Sequence, residues 1–184
     1  QLLFRNHKRV IFCFDGDRAG LKAAWRALKV AIPYLIDDRS MQFLILPSGE
    51  DPDSLVAKEG REKFLQRIDR ATPLCEFLFN SLSQHCKLDT VDGRAQLVSK
   101  VIPYINSAPL GPYRSLMLEK LSSMSAMGVK QILEQMKNSR SNATEKPVMG
   151  NQRLPKLQYD LLEKALLILM KEPMVDYFII QEKE

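Results

Sequence analysis

Asp15 and Asp17 stand two apart directly after the apolar run Val10-Ile11-Phe12-Cys13-Phe14. A second acidic group, Glu50-Asp51-Pro52-Asp53, follows another apolar run, Met41 to Leu46. Side chains two apart on extended backbone point the same way, so Asp15 and Asp17 can share one cation, and Gly16 between them admits close approach. Carboxylate pairs gathered at one place repel each other by a few kcal/mol, and something positive must sit between them. Mg²⁺ meets that need with one or two carboxylates per ion and keeps its other positions for water and phosphate oxygens. The chemistry so implied is phosphoryl or nucleotidyl transfer. Aspartate at a strand-to-helix junction also serves as a helix N-cap, but a cap needs one acid per helix, and each junction here carries more than one. Asp15 and Asp17 are therefore the principal metal candidates, joined by Asp51, with Asp53 expected as a plain cap and Glu50 as the solvated member. Arg18, Lys22 and Arg9, with Arg5 and Lys8, are the cations expected nearby to hold phosphates.

The elements that must position these acids are legible in the apolar pattern. The run Val10 to Phe14, closed by Gly16, reads as a strand covered on both faces, as in a parallel α/β sheet, where ligands gather at the carboxyl ends of the strands. Apolar residues at 21, 24, 25, 28, 31, 32 and 35 predict an amphipathic helix over Leu21 to Leu35, since they recur at the helical period. Met41 to Leu46, stopped by Pro47-Ser48-Gly49, is a second strand. The unit is β-α-β, and a right-handed crossover brings both acidic tips to one edge.

Downstream the pattern is helical throughout. Short helices are expected over Ser54 to Lys58 and Arg61 to Arg70. Longer ones follow from Pro73 to about Gln84, from a cap at Asp92 to Ile105, from Pro112 to near Met124, and over Val129 to Asn138. Residues 139–157 are polar, with prolines at 147 and 155, the composition of a linker. Beyond them Tyr159 to Met170 is densely apolar, and Val175 to Ile180 offers a further element. The expected fold is α/β, a partial sheet unit over 1–72 followed by an all-α unit over 73–138, the linker over 139–157 and a new unit over 158–184.

Among the 184 residues, Lys and Arg number 27 and Asp and Glu 22, a net charge of +5 that permits a polyanionic partner without requiring one. Cysteines at 13, 75 and 86 fit neither a disulfide framework nor a zinc spacing, so a reducing, cytoplasmic setting is expected. No run approaches the roughly 20 apolar residues of a membrane span. Trp25, Phe77, Phe79, Tyr104 and Tyr113 are expected in the core rather than in base stacking.

Strand, Asp-Gly-Asp-Arg-Ala-Gly, amphipathic helix, strand, Pro-x-Gly-Glu-Asp-Pro-Asp resembles the TOPRIM module, and Asp15 to Trp25 with Leu46 to Leu55 is similar to bacterial replicative DNA primases. Pro73-Leu74-x-Glu76-Phe77-Leu78-Phe79 and Asp92-Gly93-Arg94-Ala95 resemble the helical subdomain that follows TOPRIM there, so the likeness covers residues 1 to 138. Residues 158–184 resemble the beginning of the region that binds the replicative helicase. The resemblance implies that Asp15, Asp17, Asp51, Asp53 and Glu50 hold Mg²⁺ or Mn²⁺ for joining ribonucleoside triphosphates on a single-stranded DNA template. It implies zinc only for a separate domain of the parent protein. A TOPRIM site also uses a glutamate on an earlier strand, and residues 1–9 contain no acid, so the chain is expected to be a catalytically incomplete piece. The alternatives are a TOPRIM nuclease or topoisomerase, and a non-catalytic module that joins a polymerase core to a helicase.

Overall fold

The computed structural model describes residues 8–36, 38–141 and 177–181. Strand β1 (Arg9–Phe14) leads into helix α1 (Arg18–Ala31), a 3-10 turn over Ile32–Tyr34 and strand β2 (Ser40–Ile45). The two strands run parallel in the register Arg9↔Ser40 to Phe14↔Ile45, so their carboxyl ends share one edge. The expected β-α-β unit is present. Its helix starts three residues before Leu21, because periodicity marks only where the buried face begins.

The strands sort their side chains by alternation. Ile11 and Cys13 face one core with Leu44, Leu46, Leu55, Phe64 and Ile68, supplied partly by α2 (Pro52–Glu59) and α3 (Arg61–Asp69). Phe12 and Phe14 face the other core, with Phe43, the buried stripe of α1 and the downstream helices. Burial on both faces explains why β1 is a continuous apolar run rather than an alternating one.

A two-residue strand, β3 (Thr72–Pro73), pairs antiparallel with β2 through Gln42↔Pro73 and Phe43↔Thr72. It passes directly into α4 (Leu74–Ser83), followed by α5 (Val91–Ser107), α6 (Pro112–Ser125) and α7 (Val129–Ser141). Thr90, not Asp92, caps α5, its hydroxyl accepting from Gly93 N at 3.1 Å, and Asp92 falls in the first turn. The reason is steric: a β-carbon on Gly93 would lie 1.9 Å from the Lys87 carbonyl oxygen, and that tight turn sets the helix start at Val91.

Strand β4 (Tyr177–Gln181) completes a mixed sheet of order β3-β2-β1-β4, parallel to β1 from Arg9↔Tyr177 to Cys13↔Gln181. The sequence put these residues in a separate unit, but the β-branched and aromatic run Tyr-Phe-Ile-Ile pairs along the edge of β1 instead. Of the expected linker, residues 139–141 extend α7, and 142–157 lie outside the described residues, as do 158–176 and 182–184. No helix among the described residues is long and apolar enough to cross a membrane.

Candidate metal and phosphate site

The chain turns sharply after β1. Leu46 N donates to Phe14 O at 2.9 Å, which zips the two strands to their tips. A β-carbon on Gly16 would lie 2.0 Å from Leu46 O and 2.9 Å from Ser48 N, so the Asp15–Asp17 turn rests directly on the turn that ends in Asp51. Gly20 is equally confined one helical turn later, since its β-carbon would lie 2.1 Å from Asp15 O. Only glycine admits both contacts.

Asp15 Oδ1 is buried at the tip of β1. Burial, and secondarily the Asp15 carboxylate, pushes the Cys13 thiol up to about 12, so Cys13 is protonated and inert beside the acidic edge. Asp17 is exposed and caps α1, its Oδ1 accepting from Gly20 N at 2.7 Å. A carboxylate there also faces the positive end of the helix.

Asp51 caps α2 in the same way: Oδ1 accepts from Ser54 N at 2.7 Å, and Ser54 Oγ accepts from Asp51 N at 3.0 Å, a capping box. Asp53 is exposed in the first turn of α2 and does not cap it, contrary to the sequence expectation. Glu50 is not simply solvated either. Lys58 Nζ stands 2.6 Å from its Oε1 and Ser54 Oγ donates to its Oε2 at 2.9 Å, and these two contacts, Lys58 first, hold its carboxyl below the usual range.

Arg18 is the exposed first residue of α1, and Lys22 is exposed one turn later. Arg9 is elsewhere. It opens β1, about 20 Å of strand away from Asp15 at roughly 3.3 Å per residue, and its guanidinium is engaged by Gln42 Oε1 at 2.9 Å, Ile68 O at 3.2 Å and Asp69 at 3.6 Å. It fastens α3 to the sheet at the edge opposite the acids.

Among the described residues no group of three or more His, Cys, Asp and Glu stands close enough to hold a metal ion by itself. The donor set is nonetheless all hard oxygen, carried on two abutting turns, and Mg²⁺ asks a protein for only one or two carboxylates when phosphate and water supply the rest. The residues present fit that ion in a shared, phosphate-completed site.

Sequence reading missed one feature. Lys63, Gln66 and Arg67 of α3, with Arg70 just beyond it, line a groove of about 480 Å³ against Leu44 and Ile45 of β2. Their i, i+3, i+4, i+7 spacing was visible, but cations on a short helix read as an ordinary solvated face.

Residues 1–56 match the Toprim-like family and residues 76–129 the DnaB-helicase binding domain of primase. DNA primase of Escherichia coli K12 is 40% identical over 174 residues, 94% of this chain and 29% of that protein. DNA primase of Legionella pneumophila is 44% identical over 124 residues, 67% of this chain and 22% of the relative. The chain thus spans less than a third of the length of these relatives. A DNA primase domain from Pseudomonas aeruginosa superposes with a TM-score of 0.70 at 41% identity, over 73% of this chain and 42% of that one. The DnaG catalytic core gives a TM-score of 0.68 at 47% identity over 72% of this chain and 43% of that one. Paired acidic turns on a parallel β-α-β unit, the helices that follow it, and these likenesses along the chain agree: the chain belongs to the bacterial DNA primases.

Proposed function

We propose that this chain carries the metal-binding edge of a primer-synthesising RNA polymerase together with a portion of its helicase-docking region. The observation that carries the reading is the contact of the Gly16 turn with the Leu46–Ser48 backbone, which leaves no room for a β-carbon and keeps Asp15, Asp17 and Asp51 on one edge. In this reading Asp15 and Asp17 hold Mg²⁺, or Mn²⁺ in its place, with Asp51 and, further out, Asp53 and Glu50. The ion supplies charge neutralisation at the phosphates during attack of a primer 3′-hydroxyl on the α-phosphate of an incoming ribonucleoside triphosphate. The chain's own residues do the holding: α1 and α2 present their N-termini to the same edge, which favours phosphate oxygens there, and Arg18 and Lys22 add positive charge beside it.

Template, nucleotides and helicase belong to the whole protein, which works in the bacterial cytoplasm at the replication fork, with zinc confined to a separate domain. The helicase family match over residues 76–129 supports docking through the helices α4–α6, and it favours a primase over a TOPRIM nuclease or topoisomerase. The test is Mg²⁺-dependent synthesis of short RNA on single-stranded DNA by a full-length protein containing this segment. Changing Asp15 and Asp17 to Ala should lower synthesis by at least about 100-fold, since loss of a mere outer-shell partner of a metal costs 10–100-fold. Undiminished synthesis would overturn the reading.

A further inference from the structure

We propose that Glu50 is a positioning residue: braced by Lys58, it locks Ser54 and through Ser54 the Asp51 carboxylate, and it reaches the ion only by way of Asp51, an inference that rests on the metal reading above. The Glu50 side chain is only 19% exposed although it sits in an acidic group at the surface, and both of its oxygens are engaged. Oε1 takes Lys58 Nζ at 2.6 Å, and Oε2 accepts from Ser54 Oγ at 2.9 Å. A divalent cation binding Glu50 directly would have to displace an ammonium group already in contact with it.

Ser54 is where the brace meets the helix cap. Its hydroxyl has one hydrogen and two acceptors within reach, Asp51 O at 3.0 Å and Glu50 Oε2 at 2.9 Å. The charged acceptor makes the stronger bond, so the hydrogen goes to Glu50 and the oxygen is turned to accept from Asp51 N at 3.0 Å. Asp51 Oδ1 accepts in return from Ser54 N at 2.7 Å, which fixes the backbone and the carboxyl group of Asp51 together. Glu50 is also held from behind. Its N–H donates to Pro47 O at 3.1 Å, and Pro47 belongs to the turn on which Gly16 rests. One residue therefore couples the turn under Asp15 and Asp17 to the cap of α2. Partners that orient a metal ligand in this way set its affinity without touching the ion.

The experiment measures Mn²⁺ affinity by electron paramagnetic resonance of the free ion, on a full-length protein containing this segment, without DNA or nucleotides. Glu50→Gln, which keeps the shape and loses the charge, should weaken binding about 10-fold, the low end for loss of an orienting partner. Lys58→Met separates the two mechanisms. The Lys58 side chain is 69% exposed, so its replacement leaves the fold intact. Removing a nearby cation would by Coulomb's law alone tighten the ion, whereas loss of the brace should weaken it about 10-fold. Lys58→Arg, which keeps the charge and the grip on Glu50, should restore the parent affinity. Tighter or unchanged binding in Lys58→Met, with the parent binding normally, overturns the brace alone and makes Glu50 a direct ligand or a bystander. A parent that binds Mn²⁺ no better than its Asp15→Asn, Asp17→Asn variant overturns the metal reading, and the brace falls with it.

Discussion

Gly16 lies so close to Leu46 that a β-carbon on it would stand 2.0 Å from the Leu46 carbonyl oxygen. No real β-carbon tolerates that distance, and the obstacle is backbone on every side, with Ser48 N and Pro47 C also within reach. Gly16→Ala must therefore push the two acidic turns apart. Overpacking of this kind costs roughly 1–3 kcal/mol, and the movement should fall on the metal edge. The expected outcome is a lower melting temperature together with weaker Mg²⁺ dependence in the full-length protein; an alanine variant with unchanged melting and Mg²⁺ response would contradict the contact.

Asp17 has two duties that can be separated. As an N-cap it accepts a hydrogen bond from Gly20 N, and asparagine caps about as well as aspartate, whereas alanine costs about 1 kcal/mol. As a metal ligand it needs its charge. Asp17→Asn should melt within a few tenths of a kcal/mol of the parent yet lose primer synthesis, and Asp17→Ala should lose both. Retained synthesis in the asparagine variant would reduce Asp17 to a cap.

That double duty marks where sequence reading stops. The strand β1, the helix α1 and the strand β2 were legible because burial on two faces and on one stripe leaves different periods in the chain. The acidic groups were legible as groups. Which acid caps α2 was not, since Asp51 and Asp53 differ only in where the backbone turns, and that turn is set by the Gly16 contact some thirty residues away. The brief strand Thr72–Pro73 left no signal at all: it has two residues, one of them a proline with no N–H to give the ladder. Arg9 belongs to the strand that carries the acids but opens it, so it stands at the end opposite Asp15.

The buried thiols predict a fall of stability in alkali. Burial, helped by Asp15, raises Cys13 from 9.0 to about 12, and burial raises Cys75 from 9.0 to about 11. Below pH 9.0 both thiols are protonated folded or unfolded, and their contribution is intact. Above it the unfolded chain sheds protons that the native state retains, so stability declines as pH rises toward the folded values, by up to about 1.4 kcal/mol per pH unit for a fully buried thiol. Urea midpoints should drop between about pH 9 and about pH 12, and Cys13→Ala should make that drop shallower. Equal pH slopes for parent and variant would show that Cys13 is not the group responsible.

Trp25 ties the sheet unit to the helices. Its ring centroid stands 5.6 Å from Tyr104 on α5 and 6.3 Å from Phe77 on α4, and Phe77 in turn stacks on Phe43 of β2 at 4.7 Å. Phe14 and Phe43 of the strands belong to one buried cluster with Leu74, Leu78, Leu97 and Leu121 of the helices, so the hydrophobic core runs unbroken past residue 72. A chain that shares one core unfolds as one unit. Trp25 is the only tryptophan, so its emission reports the junction alone, whereas far-ultraviolet circular dichroism reports the helices as a whole. The two urea transitions should coincide in the parent. Trp25→Ala should cost about 3 kcal/mol, the low end for a large aromatic removed from a core. Trp25→Phe should recover most of that loss, because it restores a ring between Phe77 and Tyr104. An emission change that precedes the loss of helix would mean that the helices leave the sheet while still folded, and the continuous core would then not be what joins them.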